Sequence, residues 1–392
     1  FIMESKSYGK NTICTHAGQL EDHQFGGAVS PLYMSTSYPF QDVEEKRYPR
    51  YFNTPNQQGL SKKVAALEHG EAGLIFGSGM AAIMTSLLAF LQSGDHVVLQ
   101  NAIYGGTRNL INEEFKKFGI EYSYVESNDI ASYEKVIAHN TKVIYIETPS
   151  NPLLEITDIK AIAELAKKHK LISMIDNTFA SPINQTPIVF GIDVVLHSAT
   201  KYMSGHSDIL AGAVVSSHAN IERIFNAGKN FGGTLSDFTV WLLERSLKTM
   251  ALRVKRQNRN ARKLAKWLEK NTQVTKVYYP GLKSHPNYKL AKEQMKGFGG
   301  MLSFELKDDL CSKQFQDSLN LIKSSMSLAG VESTILSPHL TSHGLLSEEE
   351  REEQGIKNGL LRFSVGIEEV SDLKADIEQA LKLASKLSKV IV

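Results

Sequence analysis

A lysine near the middle of the chain has the setting of a functional amine. Lys201 follows an apolar, strand-like run at 194–197, and two hydroxyl residues, Ser198 and Thr200, stand between the run and the lysine. Most lysines are simply surface residues, and that is the alternative interpretation of a single one. A lysine directly behind a buried strand end, with Gly205 close to it, instead favours a use for the amine, such as covalent bonding to a carbonyl group.

An acid and a glycine-rich turn provide two complementary groups. Asp176 ends the apolar run 172–175, where α/β proteins commonly place ligand-contacting groups, although an Asp there can also cap the following turn. Gly77 and Gly79 lie in a turn that follows another strand-like run and begins a helix. Glycine lets backbone N–H groups approach an anion, and a helix N-terminus favours negative charge. The turn therefore predicts a phosphate site, with plain packing of the turn as the alternative.

The same turn does not fit a dinucleotide-binding fingerprint. Ala82 replaces the third glycine of that pattern. An acidic residue should close a second strand about 20 residues further on, but Asp95 stands before a strand instead of at its end. A nicotinamide-dependent enzyme is therefore disfavoured.

Together, the lysine, the acid and the turn match the needs of pyridoxal 5'-phosphate. This cofactor requires a lysine that binds it covalently, an acid that keeps its ring nitrogen protonated, and a phosphate cup at a helix N-terminus. The hydroxyls of Ser198 and Thr200 could reach the same phosphate. Tyr104, which follows the strand-like run 96–99, is a candidate to stack on the ring. We therefore predict a pyridoxal phosphate site centred on Lys201 and Asp176.

Alternating strand-like and helix-like segments supply the scaffold for these groups. Helix-length amphipathic segments, such as 80–91 and 159–169, separate the strands. This alternation predicts right-handed βαβ units and a mainly parallel sheet covered by helices. The strand-like runs lie at 73–76, 96–99, 142–147, 171–175, 194–197 and 209–215.

The pattern divides the chain into three parts. Residues 1–60 form a polar, turn-rich arm without a sustained period, which is typical of a segment that packs on a neighbouring subunit. Residues 61–250 form a large cofactor domain, and residues 251–392 form a smaller C-terminal α/β domain. One long helix over 241–271 is predicted between them. Its basic stretch 253–266 is interpreted as a solvated helix face.

Composition excludes several classes of protein. The 392 residues contain 44 Lys+Arg and 42 Asp+Glu, so the net charge of +2 gives no global field for a nucleic acid. No apolar run is long enough to span a membrane. Cys14 and Cys311 form neither a disulfide framework nor a metal clip. We therefore expect a cytoplasmic enzyme that binds a small molecule and uses no metal, no nucleic acid and no membrane.

Short motifs occur in order along almost the whole chain, and they identify a family. The chain resembles the Cys/Met-metabolism (transsulfuration) branch of fold-type I pyridoxal phosphate enzymes, which includes cystathionine γ-synthases, cystathionine and methionine lyases, and homoserine sulfhydrylases. The resemblance implies an α/β fold with a large, mainly parallel sheet domain and a smaller C-terminal α/β domain. The motifs are YxR at 48–50, SGMAA at 78–82, YGGT at 104–107, ETPSNP at 147–152, DNTFA at 176–180, HSATKYMSGHSD at 197–208 and LRFSVGIE at 361–368.

The resemblance also implies a role for each matching residue. Lys201 would hold the cofactor and move protons between substrate carbons, Asp176 would pair with the ring nitrogen, and Tyr104 would stack on the ring and assist catalysis. In the family, a tyrosine and an arginine at the positions of Tyr48 and Arg50 reach the phosphate from the neighbouring subunit. The phosphate ligands would be the backbone of Gly79 and Met80 with Ser198 and Thr200, and the substrate α-carboxylate would bind Arg362, Asn151 and Ser327.

The resemblance implies a homotetramer of two catalytic dimers. It leaves the type of reaction open. We expect a carbon–sulfur lyase that acts on cystathionine, homocysteine, cysteine or methionine and releases ammonia and a 2-oxo acid. The alternative is γ-replacement on an activated homoserine, and a remoter one is a catalytically inactive member of the fold. Arg47, Asn109 and Met326 depart from the patterns of the cystathionine γ-enzymes, so the residues leave substrate and regiochemistry undecided.

Overall fold

The structure is a computed structural model that describes residues 8–125, 127–341, 351 and 355–388, with side chains up to residue 385. The chain divides into two compact units. The first comprises the described residues up to Thr148, together with Thr157–Ser204 and Asp208–Ala251. The second comprises Pro149–Ile156, Gly205–Ser207 and the described residues from Leu252 onward.

A seven-stranded sheet forms the centre of the first unit. Its strands are β1 Ala72–Phe76, β2 His96–Leu99, β3 Glu121–Tyr124, β4 Thr141–Glu147, β5 Ile172–Asp176, β6 Val194–His197 and β7 Gly212–Ser216. Their order across the sheet is β1-β7-β6-β5-β4-β2-β3. Neighbours from β6 to β3 are parallel, whereas β7 is antiparallel to both β1 and β6. The predicted mainly parallel sheet is therefore confirmed.

Both faces of this sheet are buried, each in its own hydrophobic core. Successive side chains of a strand point to opposite faces, so neighbouring residues belong to different cores. Val97, Tyr145 and Met174 belong to one core, whereas their neighbours Val98 and Ile144 belong to the other. The helices associated with the unit are α1 Lys10–His16, α2 Pro55–Glu68, α3 Gly79–Phe90, α4 Gly105–Glu114, α5 Ile130–Lys135, α6 Ile159–His169, α7 Ser181–Asn184, α8 His218–Phe231 and α9 Asp237–Leu247.

The N-terminal arm has little regular structure between α1 and α2. Within that stretch the described elements include only one short 3₁₀ helix, Pro49–Tyr51. Phe25, Met34 and Phe40 are 83%, 71% and 68% exposed, so the arm buries few of its large apolar side chains within its own chain. α2 then begins sharply, because Thr54 and the third helical residue, Gln57, form a reciprocal capping box.

The second unit contains a five-stranded sheet of order β10-β11-β12-β9-β8. A single core of leucine, isoleucine, phenylalanine and alanine side chains connects the sheet to its helices. The strands are β8 Val274–Tyr278, β9 Met301–Leu306, β10 Lys323–Ser324, β11 Thr334–Leu336 and β12 Leu360–Ser364. The helices are α10 Met250–Leu268, which lies in this unit from Leu252 onward, α11 Tyr288–Gln294, α12 Ser312–Asp317 and α13 Val370–Ser388.

Two details of the sequence prediction were wrong. The single helix over 241–271 is two helices, α9 and α10, because the chain breaks at Lys248 and Thr249. The hydroxyls of Ser246 and Thr249 donate to backbone carbonyls there, which competes with a continuous helix. Strand β3 was missed because it is a partly exposed edge strand without strong apolar alternation. Among the described helices, none is long and apolar enough to cross a membrane.

Candidate active site

Lys201 lies in a turn that is hydrogen-bonded to the residue directly before β7. β6 ends at His197, and the Lys201 N–H donates to the Ser198 carbonyl at 3.1 Å. The hydroxyl of Thr200 donates to the Ala211 carbonyl at 3.1 Å and accepts from the Ala211 N–H at 3.0 Å. The lysine is half-buried. Its backbone is therefore held in place, whereas the Thr200 hydroxyl would have to give up its donor bond to Ala211 in order to bind a phosphate.

Asp176 ends β5 as a buried carboxylate beside this turn. Its Oδ1 accepts from the Thr178 N–H at 2.9 Å, and the Thr178 hydroxyl accepts from the Ser198 N–H at 2.8 Å. Thr178 thus joins the end of β5 to the segment after β6. Burial raises the pKa of Asp176, while the hydrogen bonds from Thr178 and the charges of His197 and Lys201 oppose that rise. A positive group placed against this carboxylate would favour its ionised form.

The N-terminus of α3 forms a cup beside Ser198. The Ser78 side chain caps the helix by accepting from the Ala81 N–H at 3.0 Å. A β-carbon at Gly79 would lie only 2.9 Å from Cβ of Ser198, so only glycine permits this approach. Within the described residues, the N–H groups of Gly79 and Met80 have no acceptor and the Ser198 hydroxyl has no partner. Three donors are therefore available to an anion at the positive end of a 12-residue helix.

Tyr104 presents its ring at the N-terminus of α4. Its N–H donates to Oε2 of Glu147, the last residue of β4, at 2.7 Å. A β-carbon at Gly106 would lie 2.5 Å from the Tyr104 ring, which therefore rests on this glycine. The side chain is 46% exposed, so part of the ring is open to a ligand.

A buried polar network beneath the site was missed by sequence reasoning. Nε2 of His197 lies 2.6 Å from Oε1 of Glu68, and both side chains are almost fully buried. Asn177 donates to the same Glu68 oxygen at 2.8 Å, and Gln185 donates to the Asn177 side-chain oxygen at 3.0 Å. Glu68 lies on α2, 129 positions from His197, so no local pattern could have connected them.

Tyr48 and Arg50 do not join the Lys201 group within the chain. Arg50 donates to the Lys229 carbonyl, and its guanidinium carbon lies 5.7 Å and 5.2 Å from the ring centroids of Tyr48 and Tyr51. In the part of the chain that the structure describes, neither residue bonds to the cup or to Asp176. Arg47 donates to Gln58 at 2.9 Å, which fixes the start of this segment.

The three predicted carboxylate-binding residues lie together in the second unit. Arg362, on β12, is buried and donates to Oδ1 of Asn151 at 3.1 Å and to the Ser327 carbonyl at 3.3 Å. These bonds orient the guanidinium. Ser327 has a φ of 74°, and the preceding Met326 is 72% exposed. No group of three potential metal ligands occurs among the described residues.

Comparison with known proteins covers almost the whole chain. A family model described as Cys/Met metabolism PLP-dependent enzyme matches residues 11–382. Cystathionine beta-lyase of Lactococcus lactis subsp. cremoris (strain MG1363) is 42% identical over 375 residues, which are 95% of this chain and 98% of the relative. Cystathionine gamma-lyase of Bacillus subtilis (strain 168) is 42% identical over 376 residues, which are 95% of this chain and 99% of the relative. The crystal structure of cystathionine gamma-lyase from Lactobacillus plantarum complexed with L-serine superposes with a TM-score of 0.93 at 41% identity. The match covers 96% of this chain and 99% of that structure's chain.

Proposed function

The chain belongs to the Cys/Met metabolism PLP-dependent enzyme family, and on that premise we propose that it eliminates the sulfur substituent from cystathionine, homocysteine, cysteine or methionine. It is a pyridoxal-phosphate-dependent carbon–sulfur lyase of sulfur amino-acid metabolism, and its products would be ammonia and a 2-oxo acid. The predicted family, α/β fold, enzyme class and cofactor are all confirmed by these matches. The individual substrate and the residue roles are our proposals.

One structural observation supports the site assignment above the others. Thr178 joins the end of β5 to the segment after β6, so Asp176 and Lys201 occupy adjacent strand ends. The cup formed by Gly79, Met80 and Ser198 lies against the same segment. A buried carboxylate, a lysine and three free donors meet the three needs of pyridoxal phosphate, so the residues fit the cofactor.

The cofactor would be held by these groups in stated ways. The N–H groups of Gly79 and Met80 and the Ser198 hydroxyl would donate to its phosphate, and Thr200 would join them by exchanging its bond to Ala211. Asp176 would hold a proton on the ring nitrogen, because a buried carboxylate stabilises an adjacent cation. Tyr104 would stack on the ring. Bound pyridoxal phosphate supplies an electron sink for carbanion chemistry.

The protein supplies proton transfer and orientation. We assign to Lys201 the transfer of a proton from the substrate α-carbon and its return at another carbon, because an amine held on a fixed turn can act as base and then as acid. Arg362 would bind the α-carboxylate as a two-pronged donor, oriented by Asn151 and Ser327. These three residues would bind the α-carboxylate, which all four candidate substrates share. Selectivity would then depend on contacts to the sulfur-containing part of the substrate.

The substrate choice stays wider than one amino acid. The relatives with 42% identity include a beta-lyase and a gamma-lyase, so overall similarity favours neither bond. The exposed, apolar Met326 offers no charge to the distal amino group of cystathionine, and Arg47 is engaged by Glu45 and Gln58. We therefore propose a lyase that accepts several sulfur amino acids.

We also propose a homotetramer of two catalytic dimers in which Tyr48 and Arg50 act on the partner's cofactor. The exposed apolar arm supports this, since large apolar side chains usually become buried in an interface. We retain the division into the arm 1–60, the cofactor domain 61–250 and the C-terminal domain 251–392. A cytoplasmic location fits two cysteines that form no disulfide within the described residues.

A substrate panel tests the proposed reaction. The purified holoenzyme is incubated with each of the four amino acids, and ammonia and 2-oxo acid are measured. Release from at least one of them is expected. If none reacts while an O-acylhomoserine plus a thiol is consumed, γ-replacement is the activity; a protein that is inert with every substrate would be the inactive member of the fold.

A further inference from the structure

A concave pocket of about 580 Å³ lies on the second unit and is formed by three segments of the chain. The first is the middle and end of α10, the second is Tyr279 directly after β8, and the third follows α11. None of its lining residues is among those that we propose for the cofactor or the substrate. The lining residues are Asn258, Arg259, Arg262, Lys263, Lys266, Tyr279, Lys296, Gly297 and Phe298.

The lining is strongly cationic and contains no carboxylate. It has five basic side chains and neither Asp nor Glu. The ion pairs and hydrogen bonds of the described residues include none from these five side chains. They are Arg259, Arg262, Lys263, Lys266 and Lys296, all exposed.

This arrangement works against the stability of the helix that carries it. Arg259 has two cationic neighbours three and four positions further along α10, and both of them have Lys266 at the same spacings. Like charges at these spacings repel. The helix dipole favours Lys266, which lies in the last turn, but it does not account for the cations further back. A bound anion would relieve the repulsion between all of them.

The tertiary structure turns this helix face into a site with a floor. Tyr279 is fully buried, and its hydroxyl donates to the Gly299 carbonyl at 3.1 Å. Phe298 packs edge-on against it, with 6.5 Å between the ring centroids, and stays half-exposed. Lys296 lies two positions before Phe298 and lines the same pocket. The predicted solvated face of residues 253–266 therefore becomes one wall of a pocket with an aromatic floor.

We propose that this pocket binds a small polyanion that carries two or more phosphate groups. Five cations without internal partners match the charge of a di- or triphosphate, and the volume falls within the roughly 300–1,000 Å³ of ordinary ligand sites. The phosphates have two possible sources, a nucleotide or inorganic polyphosphate. The aromatic floor distinguishes them, because a nucleotide base can stack on Phe298 and inorganic polyphosphate cannot.

Calorimetric titration of the holoenzyme at low salt tests the site with two probes, inorganic triphosphate and ATP without divalent cations. The double variant Lys263→Ala/Lys296→Ala should weaken binding by at least about tenfold. The matched control Lys270→Ala/Lys292→Ala removes the same charge from exposed lysines outside the pocket and should change affinity by less than about twofold. Because the pocket variant relieves repulsion, its melting temperature should not fall.

The two probes identify the source of the phosphates. Equal binding of both assigns the pocket to inorganic polyphosphate, whereas tighter ATP binding that is lost in Phe298→Leu assigns it to a nucleotide. The proposal is overturned if the wild type binds neither probe, or if both double variants lose affinity equally. The cofactor absorbance is recorded throughout, and a change in it on titration would also overturn the proposal by showing that the probe displaces pyridoxal phosphate instead.

Discussion

Nε2 of His197 and Oε1 of Glu68 lie 2.6 Å apart in the interior of the first unit, immediately behind the segment that carries Lys201. Both side chains are almost fully excluded from solvent, and the second Glu68 oxygen has no hydrogen-bond partner among the described residues. The charge of His197 is one of the influences that lower the pKa of Asp176 against the effect of burial. The pair therefore connects the packing of α2 to the protonation of the predicted cofactor ligand.

The first prediction concerns this pair. In Glu68→Gln, His197 loses its buried anion, so the free energy of unfolding should fall by about 3 kcal/mol. With His197 no longer held by Glu68, its lowering effect on the pKa of Asp176 should weaken, and that pKa should rise further. Since Asp176 must be ionised to work, the acid limb of the kcat/KM profile should move to higher pH. Urea unfolding and pH-rate profiles measure both effects.

A matched control for this variant is Glu113→Gln, an exposed glutamate on α4 without a described hydrogen bond. It removes the same charge and should change neither quantity. If Glu68→Gln loses stability while its pH profile stays in place, the pair is structural and does not tune Asp176.

The second prediction concerns Lys201. Lys201→Ala should lose turnover by roughly 10²–10⁴-fold or more while it keeps the fold, because Lys201 is the group that we assign to move the substrate proton. Borohydride reduction of the wild type should fix the cofactor on this residue, as peptide mapping would detect. Lys62→Ala, at an exposed lysine of α2, is the control. A label on another lysine, or a colourless wild-type protein, would contradict the assignment.

The third prediction concerns Arg362. Arg362→Lys keeps the charge but removes the fork that donates toward Asn151 and Ser327, so KM should rise by roughly 10–100-fold, as expected for a lost charged hydrogen bond. The control is Arg256→Lys, whose guanidinium pairs with the exposed Glu369. Steady-state kinetics with the best substrate measure both variants. An unchanged KM would remove Arg362 from substrate binding.

The fourth prediction concerns Gly106, on which the Tyr104 ring rests. In Gly106→Ala the new methyl group would come within 2.5 Å of the ring, so the ring must move and turnover should fall. Gly9→Ala, where nothing lies within 4 Å of the added carbon, should leave turnover unchanged. The cofactor absorbance maximum reports the change independently of activity. Equal turnover in both variants would show that the ring position is not needed.

The fifth prediction tests the shared site. Lys201→Ala and Arg50→Ala subunits are co-expressed with different tags, and the mixed oligomer is purified. If Arg50 acts on the partner's cofactor, one site of each mixed dimer contains both natural residues, and activity should return relative to either parent. If Arg50 acts within its own chain, no mixed site is complete and activity stays at the level of the parents. Light scattering of the wild type checks for the tetramer.

Local sequence patterns were sufficient to identify the family, the cofactor and much of the fold. β2 and β6 begin and end where the sequence predicts, because buried parallel strands read as short apolar runs bounded by turns. Lys201, Asp176 and Gly79 stand at the ends of such elements, and their chemistry is recognisable from residue type and spacing alone. The break between α9 and α10 was missed because two hydroxyl side chains override the apolar period.

Only the tertiary structure decided which distant residues meet. Glu68 reaches His197 across 129 positions, and Asn151 reaches Arg362 across 211. A sheet whose order differs from its chain order brings such residues together, and no local period encodes that order. The basic face of α10 gives the same lesson, since two later segments, after β8 and after α11, supply the aromatic floor that makes it a pocket. Sequence therefore determined which groups can do chemistry, and packing determined which of them act together.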